Sequence, residues 1–295
     1  MLDKLEMFIA VAREEHFGRA AESLGITQPS LSTGIKQLEE QLGVQLVFRG
    51  SRYGGLTPEG QTALVWARRI VGDARQLREE MRFKREGLSG RLRLAVIPTA
   101  LTWAAWLAAR FGEKHPNVRF TILSRTSVEI LSMLDNLEVD AGISYLDNEP
   151  MGRVSTQPLY RERFMLVCAK DSPFAGRDSV GWGELRGERL CLLTPDMQNR
   201  RIINRNFAEA GVEPEAWIES NSTVVLMATV ERGGCVTVLP EDSARFLASG
   251  KAVSLVPLEK PGPAHSVGLI APWREPHTPV LDAMLRAARG MSRHD

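Results

Sequence analysis

Apolar residues recur at spacings of three and four through the first part of the chain, which is the pattern of helices that bury one face. This pattern predicts helices over 2–15 and 17–24, and Gly25 ends the second because glycine readily adopts the left-handed conformation. A third helix is predicted after Thr27, whose hydroxyl can cap it, with Pro29 in its first turn. Short helices joined by a turn are typical of a helix-turn-helix, and a generic three-helix core is the alternative.

The segment that follows the third helix, LVFRGSRYGGLTPEG, is short and rich in glycine, and it carries Arg49 and Arg52. It predicts a β-hairpin with a tight tip at Gly54 and Gly55. A hairpin of this kind directly after a helix-turn-helix favours a winged DNA-binding domain over the generic core. We place this domain at residues 1–58.

No helix breaker occurs between Thr57 and about Glu86, so a helix of roughly 29 residues, or ~43 Å, is predicted there. Its apolar residues alternate spacings of four and three, as in the seam of a coiled coil. The seam could pack against its own domain, but three heptads beside a DNA-binding unit favour a partner chain and therefore a dimer. We assign 59–90 as a linker helix followed by a polar hinge. The predicted dimerisation seam consists of Ala63, Ala67, Ile70, Ala74, Leu77 and Met81.

From residue 91 onwards the pattern changes to alternating strands and helices, which predicts mostly parallel sheets covered by helices on both faces. RLRLAVI, VRFTILS and DAGISYL predict strands of a first sheet, and FMLVCAK, RLCLLT and CVTVLP predict strands of a second. The last strand, VGLIAP, and the final helix can return to the first sheet. The expected domain, 91–295, therefore has two lobes, 91–162 plus 268–295 and 163–267.

Composition and charge narrow the class of protein only slightly. The chain is 43% hydrophobic and 25% charged, as ordinary globular proteins are, and its net charge is +1. Contacts to DNA would therefore come from a local arrangement of residues rather than from bulk charge. The first residues lack a basic leader with a continuous apolar core, and no stretch approaches the roughly 18 apolar residues of a spanning helix. We expect a cytoplasmic protein without a membrane partner.

The chain also lacks the common motifs of enzymes. Neither G-x-x-x-x-G-K-[ST], G-x-S-x-G nor H-E-x-x-H occurs, and the five histidines show no metal-ligand spacing, so we expect no enzyme, cofactor or metal. Cys168, Cys191 and Cys235 are flanked by apolar residues and are predicted to be small core side chains. A redox role would require two of them to meet, and Cys168 and Cys191 are predicted to lie inside strands.

The stretch FGRAAESLGITQPSLSTGIKQLEEQLGVQLVFRGSRYGGLTPEG resembles the N-terminal domain of LysR-type transcriptional regulators, and the resemblance extends along the whole chain. It implies an α/β fold overall, with a winged helix-turn-helix, a long coiled-coil linker helix and a two-lobed, periplasmic-binding-protein-like α/β effector domain. It further implies a dimer of dimers that binds double-stranded DNA and RNA polymerase. Val47 departs from the family, which carries an aromatic residue there, and Phe48 is expected to compensate.

The polar face of the third helix is expected to enter the major groove of DNA. Gln28 can pair with adenine, Pro29 and Thr33 can touch a thymine methyl, and Lys36 suits a guanine edge or a phosphate. The two wing arginines are expected to reach a phosphate or the minor groove, an ion pair within the domain being the alternative for Arg49. A symmetric dimer implies an inverted-repeat operator. The predicted DNA contacts are Thr27, Gln28, Pro29, Ser30, Ser32, Thr33, Lys36, Arg49 and Arg52.

In the C-terminal domain, two predicted strands end in hydroxyl residues that lead into helices, at Thr99 and at Thr126. Ligands bind at such strand ends in doubly wound sheets, and free N–H groups at helix N-termini suit an anion such as a carboxylate. The resemblance places this small-molecule effector between the lobes, although each residue could equally be a helix cap or a core side chain. The predicted effector contacts are Thr99, Thr126, Ser127, Tyr145, Thr194, Met197 and Gln198. A solute-binding protein without a regulatory role and a redox-sensing regulator are the alternatives.

Overall fold

The computed structural model describes residues 1–48, 53–147, 150–259, 264–273 and 276–291. They form two compact units. The first contains residues 1–87 and the short segments 135–138 and 277–279, and the second contains most of the remaining chain.

Four helices form the first unit: α1 (Leu2–Glu14), α2 (Phe17–Ser23), α3 (Gln28–Leu42) and α4 (Pro58–Glu86). The predicted caps are present, since the Thr27 hydroxyl accepts a hydrogen bond from Ser30 N at 3.3 Å and the Thr57 hydroxyl accepts one from Gly60 N at 2.9 Å. The sequence did not predict the cap of α2. There, His16 Nδ1 accepts hydrogen bonds from the first backbone N–H groups of the helix.

The core of the first unit is built from the apolar faces of α1 and α3, with Phe8, Leu31 and Leu38 fully buried. Glu39 is also buried, and its carboxylate accepts hydrogen bonds from the backbone of the next segment, at 2.8 Å from Leu46 N and 3.3 Å from Val47 N. This acidic side chain therefore fixes the start of the wing against the end of α3.

The wing begins as predicted, with an antiparallel bridge between Val47 and Leu56 and a 3.0 Å hydrogen bond from Phe48 N to Gly55 O. Because Gly55 pairs with Phe48, it lies on the return arm, and the expectation of a tip at Gly54 and Gly55 is wrong for Gly55. Phe48 is 52% exposed whereas Val47 is 5% exposed. Valine therefore fills the core position itself, and Phe48 does not compensate for it.

The exposed apolar stripe of α4 differs from the predicted dimerisation seam near the start of the helix. Ala67 is fully buried in the core of its own unit, beside Val71, and Ala63 is partly buried against the same cluster. Of the predicted seam, Ile70, Leu77 and Met81 are exposed, and Trp66 is exposed beside them. Ala67 belongs to the buried stripe because it lies about 40° around the helix from Val71, which packs into the same core. The apolar stripe left outside this core therefore consists of Trp66, Ile70, Leu77 and Met81, with the half-buried Ala74 among them, and it does not include Ala67.

The second unit contains two five-stranded sheets, each covered by helices. The first sheet has the order β2-β1-β3-β10-β4 and the second has the order β7-β6-β8-β5-β9. The strands are β1 (Gly90–Val96), β2 (Val118–Ser124), β3 (Ala141–Tyr145), β4 (Val154–Arg161), β5 (Phe164–Ala169), β6 (Leu190–Leu193), β7 (Ala216–Ser220), β8 (Val236–Pro240), β9 (Val253–Pro257) and β10 (Ser266–Pro272). The helices are α5 (Leu101–Lys114), α6 (Ser127–Asp135), α7 (Gln198–Glu209), α8 (Thr223–Glu231), α9 (Glu241–Ala248) and α10 (Pro279–Arg289).

In each sheet four strands run in one direction and one strand is reversed. The reversed strands are β10, which is antiparallel to β3 and β4, and β5, which is antiparallel to β8 and β9. Both are the first strands after the chain crosses from one lobe to the other. The chain passes from the first lobe to the second between β4 and β5, and it returns to the first lobe between β9 and β10.

The three cysteines are buried and reduced. Cys168 lies on β5 and Cys191 on β6, as predicted. Cys235 directly precedes β8, and its sulfur lies 3.1 Å from the sulfur of Cys191. Two cysteines therefore do meet, by a pairing of strands that the sequence did not suggest.

Candidate DNA-binding interface and effector cleft

The polar face of α3 is exposed. The predicted DNA contacts from Thr27 to Lys36 are all exposed, whereas Leu31 and Ile35 on the opposite face are buried. This face points outward because the apolar stripe of the helix, which contains Leu31 and Ile35, packs into the core of the unit. A helix that projects a polar face in this way can enter the major groove.

Two hydroxyls at the start of this face also serve the helix itself. Thr27 Oγ1 lies 2.9 Å from Ser30 Oγ, in addition to its capping bond with Ser30 N. Further along, Lys36 Nζ lies 3.8 Å from Glu40 Oε1, and both side chains are more than 60% exposed. Such an exposed pair is weak, so the ammonium group remains available for a phosphate or a base. Arg49 and Arg52 lie outside the described residues.

In the first lobe, the predicted effector residues sit where β1 and β2 end. Thr99 follows β1 in a 3-10 turn, is 1% exposed, and its hydroxyl has no hydrogen-bond partner within the described part of the chain. Thr126 caps α6, where Glu129 N donates to Thr126 Oγ1 at 3.2 Å and Thr126 N donates to Glu129 Oε2 at 2.8 Å. Ser127 follows it and is 5% exposed. The interpretation of Thr126 as a helix cap is therefore correct, which leaves Thr99 and Ser127 as the stronger candidates.

In the second lobe, the predicted residues precede or begin α7. Thr194 Oγ1 is buried without a partner among the described residues. Gln198 is 4% exposed, and its side-chain amide donates to Asp147 O in the first lobe at 3.0 Å. Met197 differs from the prediction, because its side chain packs into the hydrophobic core of the second lobe. Its role is structural packing at the start of the helix.

A chain of buried polar groups joins the lobes at the predicted residue Tyr145. The Tyr145 hydroxyl donates to Glu162 Oε2 at 2.5 Å and accepts from Asn199 Nδ2, in the second lobe, at 2.8 Å. Burial raises the pKa of Glu162 to about 8, and the negative charges of Asp147 and Asp242 add to the shift. Burial likewise raises the pKa of Tyr145 well above its usual value. Both groups are therefore largely protonated at neutral pH.

Sequence reasoning missed Arg201, a cation of the second lobe that contacts a residue of the first. Its guanidinium lies 3.5 Å from Ser127 Oγ across the cleft, and it donates to Pro195 O and Asp196 O within its own lobe. The sequence did contain a signal for this residue, because Arg200 and Arg201 are adjacent arginines near the start of a helix. Basic residues are disfavoured there by the helix dipole, so one of them needs another reason to be present.

Asn199 and Glu162 were also missed. A single amide on a helix and a single acid between two strands form no recognisable sequence motif.

Over the described ranges, no cluster of histidine, cysteine or acidic residues could hold a metal ion. In the same part of the chain, no helix combines the length and hydropathy that crossing a bilayer requires.

Comparison with known proteins identifies both units. Residues 2–61 match the bacterial regulatory helix-turn-helix of the lysR family, and residues 85–293 match the LysR substrate binding domain. The DNA-binding transcriptional dual regulator OxyR of Escherichia coli K12 is 28% identical, over 95% of this chain and 93% of its own. The HTH-type transcriptional regulator XapR of the same strain is 30% identical, over 83% of this chain and 84% of its own.

Solved structures show the same architecture. A full-length OxyR variant from Pseudomonas aeruginosa superposes with a TM-score of 0.76 at 26% identity, covering 98% of this chain and 94% of the other. The LysR family regulator CbnR, at 21% identity and a TM-score of 0.65, shares the fold over the full length of both chains. The relatives are regulators of transcription rather than enzymes. This chain therefore belongs to the LysR family of DNA-binding transcriptional regulators, with a helix-turn-helix domain and an effector-binding domain.

Proposed function

We propose that this regulator is controlled by a small carboxylate bound between the two lobes of its C-terminal domain. The observation that carries the proposal is the contact of Arg201 with Ser127 across the cleft, a cation from one lobe beside a hydroxyl of the other. A carboxylate placed between them would accept hydrogen bonds from both groups, and a charged pair of this kind is among the stronger polar contacts.

Two further groups support an effector with hydrogen-bonding capacity. The hydroxyls of Thr99 and Thr194 are buried without partners among the described residues. Buried hydroxyls are rarely left unsatisfied in native proteins, and each unpaired group costs about 1–3 kcal/mol. A ligand that supplied these bonds would gain affinity and would favour one arrangement of the lobes.

The effector acts in this proposal on a symmetric DNA-bound dimer in the cytoplasm. Two copies of α3 related by a two-fold axis would meet an inverted repeat, with the residues from Thr27 to Lys36 toward the bases and the wing arginines toward the backbone. The exposed seam on α4 joins the two chains, and two dimers form the tetramer that contacts RNA polymerase. A change in the lobes reaches the DNA-binding domains through the hinge at residues 87–90.

The test compares acids with the neutral amides of the same skeleton: benzoate with benzamide, succinate with succinamide, and acetate with acetamide. At least one acid should raise the midpoint of thermal unfolding while its amide does not, and Arg201→Gln should abolish the rise. Arg232→Gln is the matched control, since Arg232 is an exposed arginine at the end of α8. An equal response to acid and amide, no response to any acid, or a response that survives in Arg201→Gln would contradict the proposal.

Peroxide sensing is the second candidate, because Cys191 and Cys235 lie in contact and several relatives are named hydrogen peroxide-inducible genes activators. Peroxide would oxidise the two thiols to a disulfide and be reduced to two waters. Reaction requires a thiolate, however, and burial and the neighbouring Cys235 raise the pKa of Cys191 to about 12. We therefore expect peroxide to leave DNA binding and the free-thiol count unchanged, and loss of two thiols would support the redox function instead.

A further inference from the structure

The short helix α2 begins on a histidine side chain. His16 is its N-cap residue and has an extended backbone, and His16 Nδ1 accepts hydrogen bonds from Gly18 N at 3.0 Å and from Arg19 N at 3.2 Å. The first four N–H groups of an α-helix have no partner within the helix. One imidazole nitrogen therefore satisfies two of the N–H groups that α2 leaves open.

This cap matters because α2 has only seven residues, and helices this short are marginal without added contacts. The buried residues of α2, Ala20 and Ala21, pack into the same core as Leu31 of α3. The imidazole thus holds the start of α2, and the core holds its inner face. Loss of the cap would loosen the helix against which α3 packs.

The imidazole also lies next to a predicted DNA contact. A Cβ atom added to Gly18 would stand 2.9 Å from His16 Cε1 and 3.6 Å from Gln28 Oε1. The imidazole ring and the amide oxygen of Gln28 therefore share the space beside Gly18, which is open because glycine has no side chain. The position of the ring bears on the first turn of α2 and on the first side chain of α3.

A histidine cap differs from the usual caps in its response to pH. Serine, threonine, asparagine and aspartate are the preferred N-cap residues, and each keeps an acceptor oxygen above about pH 5. An imidazole accepts through Nδ1 only while it is neutral, because both ring nitrogens are donors once it is protonated. Protonation also places a positive charge at the end of the helix where the dipole favours a negative one. Histidine changes its charge between about pH 5 and pH 8.

The charged side chains around His16 do not replace the lost acceptor. Glu14, at the end of α1, is paired with arginines of α1 and α2, at 2.8 Å and 3.9 Å. Glu15 is exposed, so salt screens its charge. Burial and the charge of Glu15 raise the pKa of Tyr53, and its hydroxyl stays neutral in this range. From α3, the side chain beside Gly18 is the uncharged Gln28.

We propose that His16 is a positioning residue for DNA binding and makes this binding depend on pH. While the imidazole is neutral, the cap fixes the first turn of α2 and the ring stands beside Gln28. Protonation removes the cap and loosens α2, so the affinity for DNA falls on acidification. This response arises within the DNA-binding domain and requires no effector, so it is independent of the carboxylate proposed for the cleft.

The first experiment measures hydrogen exchange of the α2 backbone in the full chain by mass spectrometry, at about pH 7.5 and about pH 5.5. Asparagine caps helices without titrating, so we expect His16→Asn to exchange as the wild type does at the higher pH. His16→Ala lacks a cap and should exchange about threefold to tenfold faster. At the lower pH the wild type should exchange as fast as His16→Ala, while His16→Asn stays slow.

A matched control removes a histidine elsewhere. His115 follows α5 in the second unit, and His115→Asn should leave exchange in α2 the same as in the wild type at both pH values. Because all variants are compared at the same pH, the intrinsic dependence of exchange on pH cancels. A capless helix that merely loses stability would show the same defect at both pH values, as we expect for His16→Ala.

The second experiment measures affinity for a DNA duplex that the wild type has selected from a random-sequence pool at about pH 7.5. The wild type and His16→Asn should bind equally there, and the wild type should bind at least about threefold more weakly than His16→Asn at about pH 5.5. The proposal is wrong if the ratio of the two affinities stays constant or moves in favour of the wild type on acidification. It is also wrong if His16→Ala exchanges as slowly as the wild type at the higher pH.

Discussion

At the scale of single residues, the properties of Glu162 lead to a pH dependence of stability. Burial raises its pKa from about 4.5 to about 8, so the folded protein holds a proton that the unfolded chain releases over this range. Stability attributable to this group is therefore full below pH 4.5 and is lost as the pH rises toward 8, at a rate of about 1.4 kcal/mol per pH unit.

Replacement by glutamine removes this slope, since the amide stays neutral. We expect Glu162→Gln to match the wild type near pH 4.5 and to be progressively more stable toward pH 8, by a few kcal/mol at most. Urea unfolding followed by tryptophan fluorescence reports mainly on the C-terminal domain, because Trp66 alone of the six tryptophans lies before it. Glu213→Gln, at an exposed position, is the control, and a difference between Glu162→Gln and the wild type that does not change with pH would refute the assignment.

At the scale of elements, the exposed stripe of α4 predicts how the chains associate. Leu77 is 59% exposed on this stripe, and Val65 is 66% exposed but lies about 120° around the helix. Leu77→Glu places a charge in the seam and should raise the dimer dissociation constant at least tenfold, measured by analytical ultracentrifugation. Val65→Glu adds the same charge outside the seam and should leave the constant unchanged. Equal effects of the two variants would place the interface elsewhere.

The same helix shows which features a sequence pattern predicts and which it does not. The start and end of α4 follow from local chemistry, with Thr57 as the cap and a glycine after Glu86, and the sequence predicted a helix from Thr57 to about Glu86. The division of its apolar residues between an internal and an external stripe depends on what packs beside it, so Ala67 was misplaced. Pairing of Cys191 with Cys235 likewise depends on which strands become neighbours in the sheet, and spacing along the chain carries no such information.

At the scale of the whole molecule, the family was recognisable from the resemblance of residues 2–60 to its N-terminal domain, and the separation of a helical part from an α/β part followed from the change of pattern at residue 91. The proposed effector site between the lobes was harder to predict. Thr99 and Ser127 became candidates because hydroxyl residues at strand ends often bind ligands, whereas Arg201 and Asn199 contact residues that are distant in sequence, Ser127 and Tyr145. Contacts of this kind depend on long-range geometry that local patterns do not encode.

The measurement that tests the account most directly is footprinting of the DNA upstream of the gene that encodes this protein, with a salt titration. We expect protection of an inverted repeat, an affinity that falls steeply as salt rises, and loss of specific protection in Gln28→Ala. Gln41→Ala, at an exposed position near the far end of α3, should protect as the wild type does. Equal protection by both variants, or protection without two-fold symmetry, would contradict the assignment of α3 as the reader of the operator.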